Sequence, residues 1–370
     1  MAADRRTPKL PAAGGNTASA NPLNHPGAPP PPSFQLPTRL SPRANATLRI
    51  TLGQSSRTLL VEPALLNDFA CWRQSRHLSP DETAIPILQR LSAEQREQHL
   101  DALQSLLAVL HAPQELGGKG FSVDDIWRLG TMHAQLGVSE RWVEWLKVCM
   151  GTFVDECRAR GDVGDVERGR LWEKALSACR VFGWVDEYRF FAARLAYCCR
   201  IEEEDGLVKA DGEKVDVGIV GKGSVEIIKT ARQTVLSNIV VATADLLDTW
   251  ARLCRHQPCE NNSCNSSSVA ALQQFSLRSG LHPDGKLGDI SLHDVITALK
   301  IITAPDAVAD DSDKDRFVWA TEIRETHGGA CMQCDRDGAT SLLFPLECLL
   351  SDITWKLQDK LYAATNYPHE

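Results

Sequence analysis

Between Glu94 and Met150 the chain reads EQREQHLDALQSLLAVLHAPQELGGKGFSVDDIWRLGTMHAQLGVSERWVEWLKVCM. Apolar residues recur there every three or four positions in three successive runs, with glycine between them. That period is the signature of amphipathic helices, and such helices must bury their stripes against one another. Leu100, Leu103, Leu106, Leu107 and Leu110 form the first stripe. Gly117, Gly118 and Gly120 interrupt it. Ser122 then stands three residues before Asp125, the spacing of a capping box, and Val123, Ile126, Leu129 and Leu136 form the second stripe. Gly137 is a helix stop, and Ser139 is expected to cap a third helix carrying Trp142, Trp145, Leu146, Cys149 and Phe153 on one face. Every residue in this block has a packing role to fill, and none makes a catalytic pattern.

Upstream the pattern changes twice. Residues 1–44 hold ten of the nineteen prolines, including the run Pro29 to Pro32, and read as a disordered tail. From Thr47, TLRITLGQSSRTLLVEP alternates Leu48, Ile50 and Leu52, turns at Gly53 to Ser56, and alternates again at Leu59 and Val61. Two short paired strands are the expectation. Pro63 to Leu66 opens a short helix ending near Trp72, and Thr83 to Leu91 reads as a third strand that Pro86 confines to an edge.

The order is thus a hairpin, a short helix with paired leucines, a short strand, a Leu-rich helix and a two-helix unit. With DALQSLLAVLH ending on Leu110-His111, and LGTMHAQLGVSERWVEWL after it, the region 45–155 resembles the BTB/POZ-like proteins of fungi. Leu136 stands where that family carries an aromatic, and His133 where it carries a small residue. The resemblance implies an α+β fold: a small BTB/POZ-like module of short strands and helices over 45–155, then a mainly α-helical region over 156–370. It implies a non-enzymatic interaction or scaffolding protein with protein partners, including a second copy of itself. Leu48, Ile50, Leu65 and Leu66 are the interface positions it suggests.

Downstream, Leu171 to Arg200 reads as two helices broken at Gly183. Ile201 to Asp216 carries seven acids against two bases and reads as an exposed loop within a longer break near 201–222. Ser224 begins the longest helix, through about Cys254, and further loops fall near 258–268 and 303–340. Between them lie short helices at 269–279, 291–302 and 317–327, and an amphipathic helix at 342–362 closes the pattern.

The formal charge of -8 disfavours a phosphate-neutralising face, so nucleic acid is not an expected partner. No apolar run approaches the length of a membrane span and no secretory signal opens the chain, so an intracellular setting is expected. Most of the twelve cysteines are then thiols. The densest ligand set is Cys254 and Cys259 with Cys331 and Cys334; the last two have the two-residue gap that lets both sulfurs reach one zinc ion. A zinc-stabilised helical regulatory protein is therefore the alternative reading. VGIVGKGS (217–224) lacks the P-loop spacing, and no Gly-x-Ser-x-Gly or His-Glu-x-x-His occurs, which leaves an enzyme as the weakest reading.

Overall fold

A computed structural model describes residues 38–39, 46–52, 55–62, 64, 67, 69–70, 90–111, 121–159, 169–202, 206–209, 212–256, 263–282, 285–305, 311–328, 343–365 and 367. Strands β1 (Thr38–Arg39), β2 (Ala46–Leu52) and β3 (Ser55–Val61) form a sheet in the order β1-β3-β2. The expected hairpin is present: β2 and β3 run antiparallel with Leu48 opposite Leu59 and Ile50 opposite Arg57. β1 joins the far side of β3 in parallel. The expected strand at 83–91, the short helix from Pro63 and the tail at 1–44 lie largely outside the described residues, although Thr38–Arg39, inside the expected tail, form β1.

The remaining described chain is almost entirely helical. Helices α1 (Ala93–His111), α2 (Val123–Leu136) and α3 (Glu140–Ala159) are the three anticipated from the leucine and tryptophan periodicity. α2 follows its sequence signals closely. Ser122 Oγ accepts from Asp125 N–H at 3.1 Å, and Gly137 adopts the left-handed φ of 59° that ends the helix. A Cβ at Gly137 would also stand 2.5 Å from the Ala70 methyl, so the stop doubles as a close crossing.

α3 departs from expectation at its start. Ser139 Oγ is buried and makes no hydrogen bond, so only the backbone carbonyl of Ser139 serves the first turn, accepting from Trp142 and Val143 N–H. Its buried stripe is Trp142, Leu146, Met150, Val154 and Cys157; Trp145, Cys149 and Phe153 lie half-buried beside it. Position 155, the boundary between module and helical region expected from sequence, falls inside this helix.

α4 (Gly169–Phe182) and α5 (Val185–Cys198) form the centre. α2 packs on α4, and α3 on α5. α5 is buried at Tyr188 and from Phe190 to Cys198, with Asp186 exposed and Glu187 and Arg189 half-buried, the mark of a helix covered over most of its surface. The long helix α7 (Lys222–His256) crosses α5 as a brace, preceded by a single turn, α6 (Val217–Val220). α8 (Ser263–Arg278), α9 (Leu292–Thr303), α10 (Asp311–Arg316), α11 (Val318–His327) and α12 (Phe344–Ala364) complete the bundle, and α12 returns against both α5 and α7. Ser291 caps α9 by accepting from Asp294 N–H at 3.0 Å. Buried apolar side chains form one continuous cluster from Leu59 to Leu361.

The segment expected to be an exposed acidic loop is a correction. Strands β4 (Arg200–Ile201) and β5 (Leu207–Val208) pair antiparallel, and Leu207, Val208, Lys209 and Val215 are buried. Glu173 on α4 explains why: it pairs with Lys209 and accepts from Asp216 N–H at 3.0 Å, drawing the segment onto the core. The glycine stretch at 217–224 likewise has structural work to do. Asp216 caps α6 through Gly218 and Ile219 N–H, and Gly221 takes φ 86° with the Arg180 guanidinium packed where its Cβ would be.

Candidate functional site

Two regions are candidates for a functional surface. The first is a cleft of about 640 Å³ between α3, α5, α9 and α12. Helical spacing assembles it. On α5, Phe190, Ala193, Arg194 and Tyr197 recur at i, i+3, i+4 and i+7 and make one wall. Ile296 and Lys300, four apart on α9, make the facing wall, and Thr354, Leu357 and Leu361 on α12 the floor. Arg158, near the end of α3, closes one side, with Asp359 and Tyr362 at the rim.

The charges in the cleft are held in distinct ways. Arg194 is only 4% exposed; its Nη2 donates to Cys157 O at 3.2 Å and its guanidinium lies 5.1 Å from the Phe190 ring centre. The Arg158 guanidinium also lies over this ring, 5.3 Å from its centre, and meets Asp155 at 3.3 Å. Lys300 is exposed, and its ammonium forms no ion pair among the described residues. Burial holds the Tyr197 phenol well above its ordinary pKa, so it is a neutral hydroxyl that can donate one hydrogen bond. Tyr362 donates to Asp186 at 2.7 Å beneath the Arg189 guanidinium.

The second region is the edge of the small sheet. β3 is central, so β2 is an edge strand, and among the described residues its outer side pairs with nothing. Its register sets positions 48 and 50 opposite Leu59 and Arg57. Leu59 is fully buried, and Arg57 reaches α1 through Glu97 at 2.7 Å and Asp101 at 2.6 Å. Cross-strand partners share a face, so positions 48 and 50 belong to the face that turns toward α1. Leu65 and Leu66 lie outside the described residues.

Most of the cysteine set lies outside the described residues. Cys254 lies in the last turn of α7, while Cys259, Cys331 and Cys334 fall outside the described residues. Among the described residues, no group of three His, Cys, Asp or Glu side chains is placed to hold a metal ion. Three other cysteines, Cys179, Cys198 and Cys199, are buried where desolvation raises the thiol pKa, that of Cys198 up to about 12. His99 is a packing residue, donating from Nδ1 to Gln95 O at 2.7 Å, and His133 packs on Phe182.

Sequence reasoning did not reach the cleft. Arg194 and Tyr197 lie on a helix whose other face carries the more obvious stripe, and Lys300 reads as an ordinary solvated lysine. An arginine at i+4 from an aromatic, within the apolar run from Phe190 to Cys198, was the available signal. No helix among the described residues is long and apolar enough to cross a membrane. No protein-family model, curated protein or solved structure matches the chain.

Proposed function

We propose that the protein is a non-enzymatic interaction protein whose N-terminal sheet and first helices act as a BTB/POZ-like module that pairs with a second copy. The observation that carries this reading is the position of β2 at the edge of its sheet. Alternate residues of its seven-residue extended backbone present N–H and C=O groups outward, the arrangement that recruits a strand from another chain. The backbone edge of the strand then makes the junction.

The state of the buried polar groups supports a non-catalytic role. Glu173 and Lys209 neutralise each other, Arg232 is spent on backbone carbonyls, and burial keeps Cys179, Cys198 and Cys199 as unreactive thiols. These groups hold helices together.

Light scattering on the full chain at tens of micromolar tests the proposal, with a dimer mass expected and a clean monomer counting against it. Proline at Leu48 and at Arg49, made separately, sharpens the result. Adjacent N–H groups of a strand point to opposite sides, so one proline removes an outward donor and the other a donor to β3. The outward variant is expected to be a folded monomer.

A further inference from the structure

We propose that the cleft between α3, α5, α9 and α12 binds an amphipathic monoanion: a carboxylate carried on an apolar chain. Its volume of about 640 Å³ is that of a small-molecule site, and its walls divide by chemistry. Phe190, Ile296, Leu357 and Leu361 offer an apolar trough. Arg194 and Lys300 converge on it from opposite walls, and Tyr197 adds a neutral hydroxyl that forms no hydrogen bond among the described residues.

The charge balance selects the ligand. Among the described side chains, Arg158, Arg194 and Lys300 face Asp359 in the cleft and Asp155 beside it, leaving one net positive charge, and the Asp294–Arg316 pair next to Tyr197 cancels. Asp186 and Arg189, which meet at Tyr362, cancel. One surplus positive charge matches a carboxylate and falls short of a dianionic phosphate ester. Arg194 is the anchor because it is already desolvated and fixed by the Cys157 carbonyl and the Phe190 ring, so little freedom is lost when an anion arrives. Lys300 supplies the second charge from the solvent side.

Calorimetric titration of the full chain with octanoate, 1-octanol and inorganic phosphate tests this. Octanoate is expected to bind saturably, 1-octanol roughly tenfold or more weakly, and phosphate not at all over the same range. Lys300→Glu is expected to weaken octanoate by about tenfold or more while leaving 1-octanol unchanged. Lys300 is exposed, so this variant folds as the parent does, which its unliganded melting temperature will verify; Arg194→Gln is a harsher second variant expected to abolish octanoate binding. The proposal is overturned by any of three results: no saturable octanoate binding up to about 10 mM, equal binding of octanoate and 1-octanol, or octanoate affinity unmoved by Lys300→Glu. Displacement of octanoate by phosphate at equal concentration would also overturn it, since a bare anion site would then suffice.

Discussion

Lys209 Nζ lies 3.0 Å from Glu173 Oε1, and the two side chains are 5% and 2% exposed. Two opposite charges so deep in a protein are secure only together. Lys209→Met strands the Glu173 carboxylate and is expected to cost roughly 3–5 kcal/mol. Adding Glu173→Gln should restore most of that, because a glutamine oxygen still accepts from Asp216 N–H while the charge is gone. Urea denaturation of the two variants reads the coupling. A loss under about 1 kcal/mol for Lys209→Met would mean that water reaches the pair.

Arg232 carries a second interior charge. It is fully buried, donates from Nε to Cys199 O at 2.9 Å, and from Nη2 to Leu287 O at 2.6 Å and to Ile290 O. Burial pulls its pKa down to about 10, which still leaves it charged at neutral pH. One planar fork thus ties α7 to the end of α5 and to the turn before α9. Lysine cannot reproduce that fork. Arg232→Lys is expected to destabilise by about 2–4 kcal/mol; stability equal to the parent in chemical denaturation would refute the tie.

Ser122 and Ser139 precede consecutive helices and look alike in sequence, yet they should respond oppositely to alanine. Ser122 is bonded both ways with Asp125, at 3.1 Å and 2.6 Å, so Ser122→Ala is expected to cost about 1 kcal/mol. Ser139 Oγ is buried without a partner, so Ser139→Ala is expected to be neutral or mildly stabilising. Melting temperatures of the pair decide it.

Acid should weaken the fold before any carboxylate titrates. Burial lowers the pKa of His99, His133 and His327 below 6.5, with Arg128 adding to the effect at His99. The unfolded chain therefore takes up these protons first. Stability is complete above the unfolded pKa of about 6.5 and is lost as pH falls from there through the lower folded values. Asp294, whose pKa is also lowered, acts only below its ordinary 3.8, so the two windows separate. The melting temperature should fall from about pH 7 to about pH 5, and His99→Gln should flatten part of that slope. A flat profile in the parent protein would be the contrary result.

Thiol labelling should sort the cysteines by depth. With its pKa near 12, Cys198 carries roughly a thousandfold less thiolate than an ordinary cysteine at the same pH. Cys179 and Cys199 are buried as well, whereas Cys149 and Cys348 are only partly so. Mild alkylation of the native protein followed by mass spectrometry is expected to mark Cys149 and Cys348 and spare the other three until denaturant is added. Early labelling of Cys198 would show that α5 opens readily.

Local signals carried the sequence reading a long way. The helices from Val123 to Leu136 and from Leu292 to Thr303 were legible because a capping serine, a periodic stripe and, for the first, a stop glycine agree within the span of one helix and its caps. The segment 201–216 was misread because its seven acids outweigh Leu207, Val208 and Val215 in any local count. What buries it is Glu173, in another helix, and no periodicity reports a partner at that distance. The cleft was hidden for the same reason. Each of Arg158, Arg194, Lys300 and Tyr362 is unremarkable on its own helix, and only the crossing of four helices makes them neighbours.

The return of α12 across α5 has a consequence for how the protein is made. Tyr362 reaches back to Asp186 and Tyr367 to the Arg180 carbonyl, contacts that span 176 and 187 residues. At ribosomal speeds of roughly 5–20 residues per second, α5 emerges some 10–35 seconds before the helix that covers it. Through that interval Phe190, Ala193 and Tyr197 lack the cover that α12 gives them in the folded chain. Apolar helical surface left open for that long is an aggregation hazard until the last turns of α12 arrive to cover it.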